Sequence, residues 1–421
     1  FKQKTAYEIR LSLVGSEMCI RDSFPRVDDL VSIAPADLLG NGTACLVWSS
    51  ALPGDARQQM RYVDLMGGQQ LIGGQKLIGK QKPHLLVRSS NNLGAETLVT
   101  YAPSTKFYLQ DKRDGNPWIT RLPFAVHVVE RVETYDYISR NRFVTRYAYH
   151  HGYFDGEERE FRGFGMVEQF DTETFASLNA GGDPATSDNV AAASHVPPVH
   201  TKTWFHTGAY IDRDHVSDFF AGLLDAKDVG EYYREPGLTD AQARQLLLAD
   251  TVLPEGLSID EEREACRALK GAMLRQEVYA DDAGPDATAD QINRASTPYS
   301  VAEQNFTIVR LQPQAGNHHA VFFTHANEAI SYHYERTLFP VLNGRIVDES
   351  TAAANPTTQR LPDPRITHTL TLEVDDYGNV LKTAAIGYRR LYADLRLPTQ
   401  PDRDKQNQTL ITYTESRVTN A

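Results

Sequence analysis

Apolar and polar residues alternate with a period of two along several stretches of this chain. That period is what a strand with one buried face requires. Residues 84–110 alternate in this way, for example at Leu98, Thr100, Phe107 and Leu109. Residues 124–149 do the same through Val126-His127-Val128-Val129, Tyr135 and Tyr137, then Phe143 to Tyr149. Turn signals separate these runs at Asp114-Gly115-Asn116-Pro117, Ser139-Arg140-Asn141 and Asp155-Gly156. Upstream, residues 27–50 hold an apolar run, a Gly/Asn turn and a second apolar run from Cys45 to Trp48. They predict a strand-turn-strand unit. Gly163-Phe164-Gly165 reads as a strand kink or bulge.

The pattern changes over 212–280. Thr239-x-x-Gln242 and Ser258-x-x-Glu261 have capping-box spacing. The first predicts a helix to about Asp250, broken by Pro254 and Gly256. The second predicts a helix with Ala265, Leu269 and Met273 on one face, packed into a core. Strands return from about residue 299: Asn305 to Leu311, Ala320 to Thr324 and Ala329 to Tyr334. Residues 337–365 read as a loop. Thr369 to Val374, the turn Asp375-Asp376-Tyr377-Gly378-Asn379 and Val380-Leu381 read as a hairpin, because Gly and Asn accept the positive φ of tight turns. Residues 173–200, rich in Ala, Ser, Gly, Asp and Pro, read as a surface loop or linker. The tandem GGQQLI, GGQKLI and GKQK over 67–82 is too short for a solenoid and reads as a loop without chemistry.

Composition adds little to this mainly β picture. With 20 Tyr and 17 Phe in 421 residues, the aromatic balance favours pleated, half-buried surfaces. The net charge of -12 argues against nucleic-acid binding, which needs clustered Lys and Arg. Cys19, Cys45 and Cys266 fit neither a zinc pattern nor a disulfide framework. No apolar run reaches the length of a membrane-spanning helix.

Residues 1–23 read unlike the rest. Phe1 to Ile9 resembles the translation of a sequencing adapter, and Leu13 to Ser23 that of a transposase adapter end. A signal peptide fits poorly, since Glu8 and Glu17 interrupt the apolar stretch. This segment is expected to be an artefact and the chain to be an internal fragment.

Each candidate for chemistry has a plainer structural reading. Asp37 and Asn41, with Cys45 where a further acidic ligand belongs, make a weak hard-cation loop and a good tight turn. His150 and His151 lie in an aromatic patch with Tyr147, Tyr149, Tyr153, Phe154 and Asp155. Adjacent strand residues face opposite ways, so both cannot ligate one metal without a turn, which Gly152 could provide. His325 lies across a strand, Val321-Phe322-Phe323-Thr324, from His318 and His319, too far along the chain to close a site. Glu158-Arg159-Glu160 has the Glu-x-Glu spacing of ADP-ribosyltransferases, without the supporting Arg and Ser-Thr-Ser strand. Asp375 and Asp376 diverge in a turn and do not pair as glycosidase carboxylates do. No catalytic, cofactor-binding or metal-ligating residue is assigned, and no cofactor is expected.

Four long stretches carry a family resemblance: 121–175, 268–280, 298–313 and 368–388. They resemble the middle N-terminal and C-terminal regions of insecticidal toxin-complex B components (TcdB/TcaC-like). The Asp376-Tyr377-Gly378-Asn379 turn also resembles RHS Tyr-Asp repeats. The resemblance implies a mainly β fold with a helical insertion, in which the end of a propeller-like region leads into an RHS-type β-shell wall. It implies the propeller-like end at 24–83, the start of the shell at 84–200, a helical insertion at 201–290 and shell strands at 291–421. It implies a non-enzymatic structural subunit of a secreted complex, made in the bacterial cytoplasm. The shell would enclose the toxic C-terminal segment of an RHS-type C component and dock on a pore-forming A component. It implies neither nucleic-acid binding nor direct membrane insertion. The repeat at 67–82 and the stretch 337–362 look longer than the family's usual connections. A secreted β-rich carbohydrate-binding or glycan-active protein is the alternative.

Overall fold

The computed structural model describes residues 29–53, 56–57, 59–64, 70–72, 75–77, 82, 84–171, 198–222, 230–284 and 286–419. The readings of 1–23 and of most of 173–200 lie outside the described residues. The chain divides into two units, the first formed by residues 1–87, 100–109 and 124–129 and the second by the remainder.

In the first unit, β1 (Val31–Ala36), β2 (Cys45–Ser50) and β3 (Met60–Val63) form an antiparallel sheet in that order. This is the strand-turn-strand unit that the sequence predicts. Cys45 and Trp48 are buried on β2. The 67–82 tandem is not wholly loop, because β4 (Gln70–Ile72) pairs antiparallel with β5 (Gln75–Leu77). One repeat copy thus zips onto the next.

β6 (Arg88–Ser90) and β7 (Ala95–Pro103) are followed by α1 (Ser104–Asp114). The alternation expected through residue 110 stops at Pro103. Beyond it Ser104 and Phe107 are buried at helical spacing, and Lys112 and Arg113 lie in the last turn, where cations complement the helix dipole.

The second unit is built on β8 (His127–Asp136), β9 (Asn141–Asp155), β10 (Glu160–Phe170) and β11 (Val199–Phe205). α2 (Asp240–Gln245) and α3 (Ile259–Ala268) lead to β12 (Met273–Ala280), and α4 (Ala289–Ala295) to β13 (Ser300–Gln312) and β14 (Val321–His333). β15 (Leu338–Leu342), β16 (Arg345–Ile346), α5 (Glu349–Ala354) and β17 (Gln359–Pro362) follow. The chain continues through β18 (Arg365–Val374), β19 (Val380–Gly387), β20 (Ala393–Asp394), α6 (Gln400–Gln406) and β21 (Leu410–Glu415). Twelve strands form one sheet in the order β21-β19-β18-β14-β13-β12-β11-β10-β9-β8-β7-β6.

Two stretches and two element bounds differ from the sequence expectation. Residues 337–365 are not a loop: β17-β15-β16-β20 form a small sheet around Phe339, Val341 and Ile346. Pro340 within β15 disguised it. The 201–290 stretch is not helical throughout, because β11 and β12 pair with each other in the main sheet. α2 ends at Gln245, short of Asp250, and Met273 opens β12 where it was expected on the second helix. Both expected capping boxes are present, at Thr239/Gln242 and Ser258/Glu261. Ala265 and Leu269 pack in the core as predicted.

The connection from β11 to β12 covers one face of the sheet. Its Phe219 and Phe220 pack with Met166, Trp204 and Leu274, and its Tyr233 and Leu248 lie against Val301, Ile330, Tyr332 and Tyr334. Fully burying side chains such as Trp204 and Phe219 stabilises by roughly 2–3 kcal/mol each.

Candidate functional site

The candidate site is this sheet, whose two faces differ in chemistry. Directly opposed residues on antiparallel strands share a face. One transverse row runs Tyr149–Val167–Thr203–Gln276–Ala302–Ser331–Thr367–Gly387–Leu410 across nine strands. Not one member is ionisable at neutral pH. A parallel row on the same face, Gln304–Ala329–Thr369–Ala385–Thr412, is also uncharged. The next row runs Tyr147–Gln169–Thr201–Val278–Ser300–His333–Arg365, and its ionisable members are the last two, His333 and Arg365, the latter paired with Glu335.

The covered face holds the charges. Its rows run Ala148–Glu168–Lys202–Glu277–Val301–Tyr332 and His150–Met166–Trp204–Arg275–Glu303–Ile330. Arg275 is buried between Glu277 and Glu303, its Nε donating to Glu277 at 2.7 Å and its Nη1 to Glu303. The Tyr232 ring lies 4.6 Å from the guanidinium. Burial disfavours the cation, and the two carboxylates outweigh it, so its pKa is raised further. Burial raises the Glu303 pKa despite Arg275.

These carboxylates also hold the covering layer. Glu277 accepts the Tyr233 N–H at 2.8 Å, and Glu303 accepts the Leu248 N–H at 2.8 Å. Glu231, from the covering layer, accepts the Trp204 indole N–H at 2.8 Å. Asp250 accepts the Val216 and Ser217 N–H groups, both at 2.7 Å. The layer is thus fastened by charge-assisted hydrogen bonds as well as by its aromatics.

The two adjacent histidines have separate partners. His150 Nδ1 lies 2.7 Å from Asp111, and its Nε2 3.8 Å from Glu168. Burial lowers the His150 pKa, but the hydrogen bond to Asp111 and the negative charge of Asp111 and Glu168 outweigh it and raise it to about 9. Burial likewise opposes ionisation of Glu168, and the nearby imidazoles of His150 (3.8 Å) and His200 (3.5 Å), with Lys202 at 3.6 Å, still hold its carboxyl far below the usual range. His151 accepts the Ile119 N–H on Nδ1, so Nε2 carries the proton it shares with Glu231 at 2.6 Å. β9 continues through both positions without a turn, and the residue with positive φ is His151, at +56°, not Gly152, where the sequence had suggested a turn. Tyr147, Tyr149 and Phe161 are half-buried, and both Tyr149 and Phe161 pack on Phe164.

The other sequence candidates are engaged structurally. Asp37 accepts the Asn41 and Gly42 N–H groups at 3.0 and 2.8 Å, and Asn41 accepts from Thr43, which is the tight-turn reading. His319 meets Glu264 at 2.6 Å and lies tilted against the His318 ring, while His325 contacts the Ala326 carbonyl and the Phe323 ring. Glu158 and Glu160 face Arg267, and Glu160 also binds Lys270. Asp375 accepts the Tyr377 and Asn379 N–H groups, and Gly378 takes φ +87°, as the predicted hairpin turn needs. A register shift between Phe161 and Gly163, with Gly163 at φ +96°, gives the expected bulge. Among the described residues, no group of three or more His, Cys, Asp or Glu is arranged to hold a metal ion. Sequence reading missed the Arg275–Glu277–Glu303 cluster. Its signal was the i, i+2 charge pair Arg275 and Glu277 within a short strand that also holds Leu274, Val278 and Tyr279.

Residues 19–208 match the family model of the insecticide toxin TcdB middle/N-terminal region. Residues 264–339 and 358–421 match that of the TcdB middle/C-terminal region. The interruption at 340–357 falls within the stretch read as longer than usual, whereas the first match runs across the 67–82 repeat. The crystal structure of TcdB2-TccC3 superposes with a TM-score of 0.62 and 26% identity, covering 94% of this chain and 17% of that one. A Photorhabdus luminescens Tc holotoxin pore gives 0.60 and 27%, covering 94% and 16%. This chain therefore spans a small part of the length of the proteins it resembles. No curated protein matches it. The two family matches together span most of the chain, and the chain belongs to the insecticidal toxin TcdB family, of which it carries the middle N-terminal and middle C-terminal regions.

Proposed function

We propose that this chain is a wall segment of a toxin-complex subunit. The wall forms part of a hollow β-shell that encloses the toxic C-terminal segment of an RHS-type C component. Residues 24–83, as the end of a propeller-like region, lead toward the A component and its pore. The segment is structural and catalyses no reaction, and the assembled complex acts outside the bacterium that makes it.

The observation that carries this reading is the twelve-stranded antiparallel sheet, fastened on one face and carrying an uncharged row nine strands wide on the other. Such a sheet separates two environments, and closing it with neighbouring strands removes exposed edges. The kinship with TcdB2, solved together with TccC3, and with a chain of a Tc holotoxin pore supports the two partners. The carbohydrate-binding alternative gains nothing from the structure, because Tyr147 and Tyr149 are half-buried against neighbouring rings and form no open stacking platform.

Co-expression of the full-length chain with its C component tests the proposal. The partner's C-terminal segment is expected to resist protease while the complex is intact and to be cut once the complex is denatured. Rapid digestion inside an intact complex contradicts it.

A further inference from the structure

The open face departs from the usual rule for a sheet beside water. A solvated strand face normally carries Lys, Glu and other charges, and the covered face is apolar. Here Glu168, Lys202 and Glu277 lie in line on the covered face, while Thr203, Gln276, Ala302, Ser331 and Thr367 lie in line on the open one. The long amides of the open face are spent within the sheet. Gln276 donates to the Thr203 hydroxyl at 3.2 Å, and Gln304 donates to the Met273 carbonyl at 2.6 Å.

We propose that this face is a low-adhesion lining for an extended polypeptide, touched by the guest segment whatever the sign of its charge; this rests on the enclosure proposed above. Two forces hold an unfolded chain to a protein wall. Ion pairs beside a low-dielectric surface are far stronger than in water. Apolar contact contributes roughly 25 cal/mol per Å² buried. The row from Thr203 to Thr367 supplies no charge and only small aliphatic groups. A guest there exchanges water for weak contacts and stays free to leave. The aromatic side chains of this face, Tyr147 and Tyr149, stand on β9, at one flank of the row.

The test uses the full-length chain assembled with its C component and carrying Thr203→Cys, Ala302→Cys or Thr367→Cys. Cys45 and Cys266 are buried, and the parent complex sets the background. A small maleimide is expected to label each introduced cysteine and a bulky polymer maleimide to leave it untouched. Full labelling by the polymer overturns the enclosure itself, and with it this inference. Benzophenone maleimide at the same positions is then photolysed with guests of opposite net charge, at low and high salt. Crosslinking to the guest within about two-fold across all four conditions is the expected result. With the polymer still excluded, a change of about ten-fold with guest charge or salt, or no crosslink at all, overturns the charge-indifferent lining and leaves the enclosure standing.

Discussion

Arg275 shows what a single residue does in this fold. Its guanidinium bridges two strands through Glu277 and Glu303, and both carboxylates continue into backbone N–H groups of the covering layer. Arg275→Met removes the cation and leaves two buried carboxylates without their partner. Breaking a buried pair in this way costs about 3–5 kcal/mol, read as a lower denaturant midpoint with an unchanged slope. The histidines set a pH window. The His150 pKa is raised to about 9, so its contribution is complete below the ordinary histidine value near 6.5 and is lost as pH rises through 9. The contribution amounts to at most about 3 kcal/mol. His206 is fully buried, with Nε2 bonded to the Val216 carbonyl and Nδ1 to the Gly208 N–H. Burial lowers its pKa to about 4, so its contribution is present above about 6.5 and is lost as pH falls toward 4. Stability measured against pH is expected to fall on both sides of neutrality. His150→Gln is expected to flatten the alkaline limb and leave the acid limb in place; an unchanged alkaline limb contradicts the assignment.

At the scale of elements, short-range signals were the legible ones. Both capping boxes form, because each needs only two side chains within one turn. Ser258→Ala is expected to cost about 1 kcal/mol and to raise amide exchange through α3. The β18–β19 turn was legible for the same reason. Gly378→Ala forces a side chain to φ +87°, and a Cβ there meets the Phe323 ring at 3.2 Å. That variant is expected to lower the melting temperature more than Ser258→Ala does. α1 was missed because a run such as Lys106 to Leu109 alternates and is also compatible with a helix, and Pro103 alone did not decide between them. The four-stranded sheet around Ile346 was missed because its strands are short, hold Pro340 and Pro362, and pair across an intervening helix. The Thr288/Gln291 box before α4 was present in the sequence and passed over.

At the scale of the whole molecule, the alternating period predicts strands but not which face is covered. That depends on where the β11–β12 connection lies, a long-range matter that no local pattern carries. The register, not the local pattern, places the charged residues Glu168, Lys202, Arg275, Glu277 and Glu303 of β10 to β13 on the covered face. The sheet also has an open edge. β21 is exposed along its length, with Leu410, Ile411 and Tyr413 among its apolar side chains. Such an edge invites pairing with another strand. Residues 24–421 produced alone are expected to self-associate, and Ile411→Lys with Tyr413→Lys to shift the elution volume toward the monomer; association unaffected by both places the contact elsewhere.

A shell wall of this kind turns the uncharged row of the sheet inward. An electron cryomicroscopy map of the full-length chain with its C component is the sharpest test of that orientation. Thr203, Ala302 and Ser331 are expected to border an enclosed cavity holding guest density, with the Arg275 cluster and its covering layer on the outer side. A map with Thr203, Ala302 and Ser331 facing bulk solvent would contradict it.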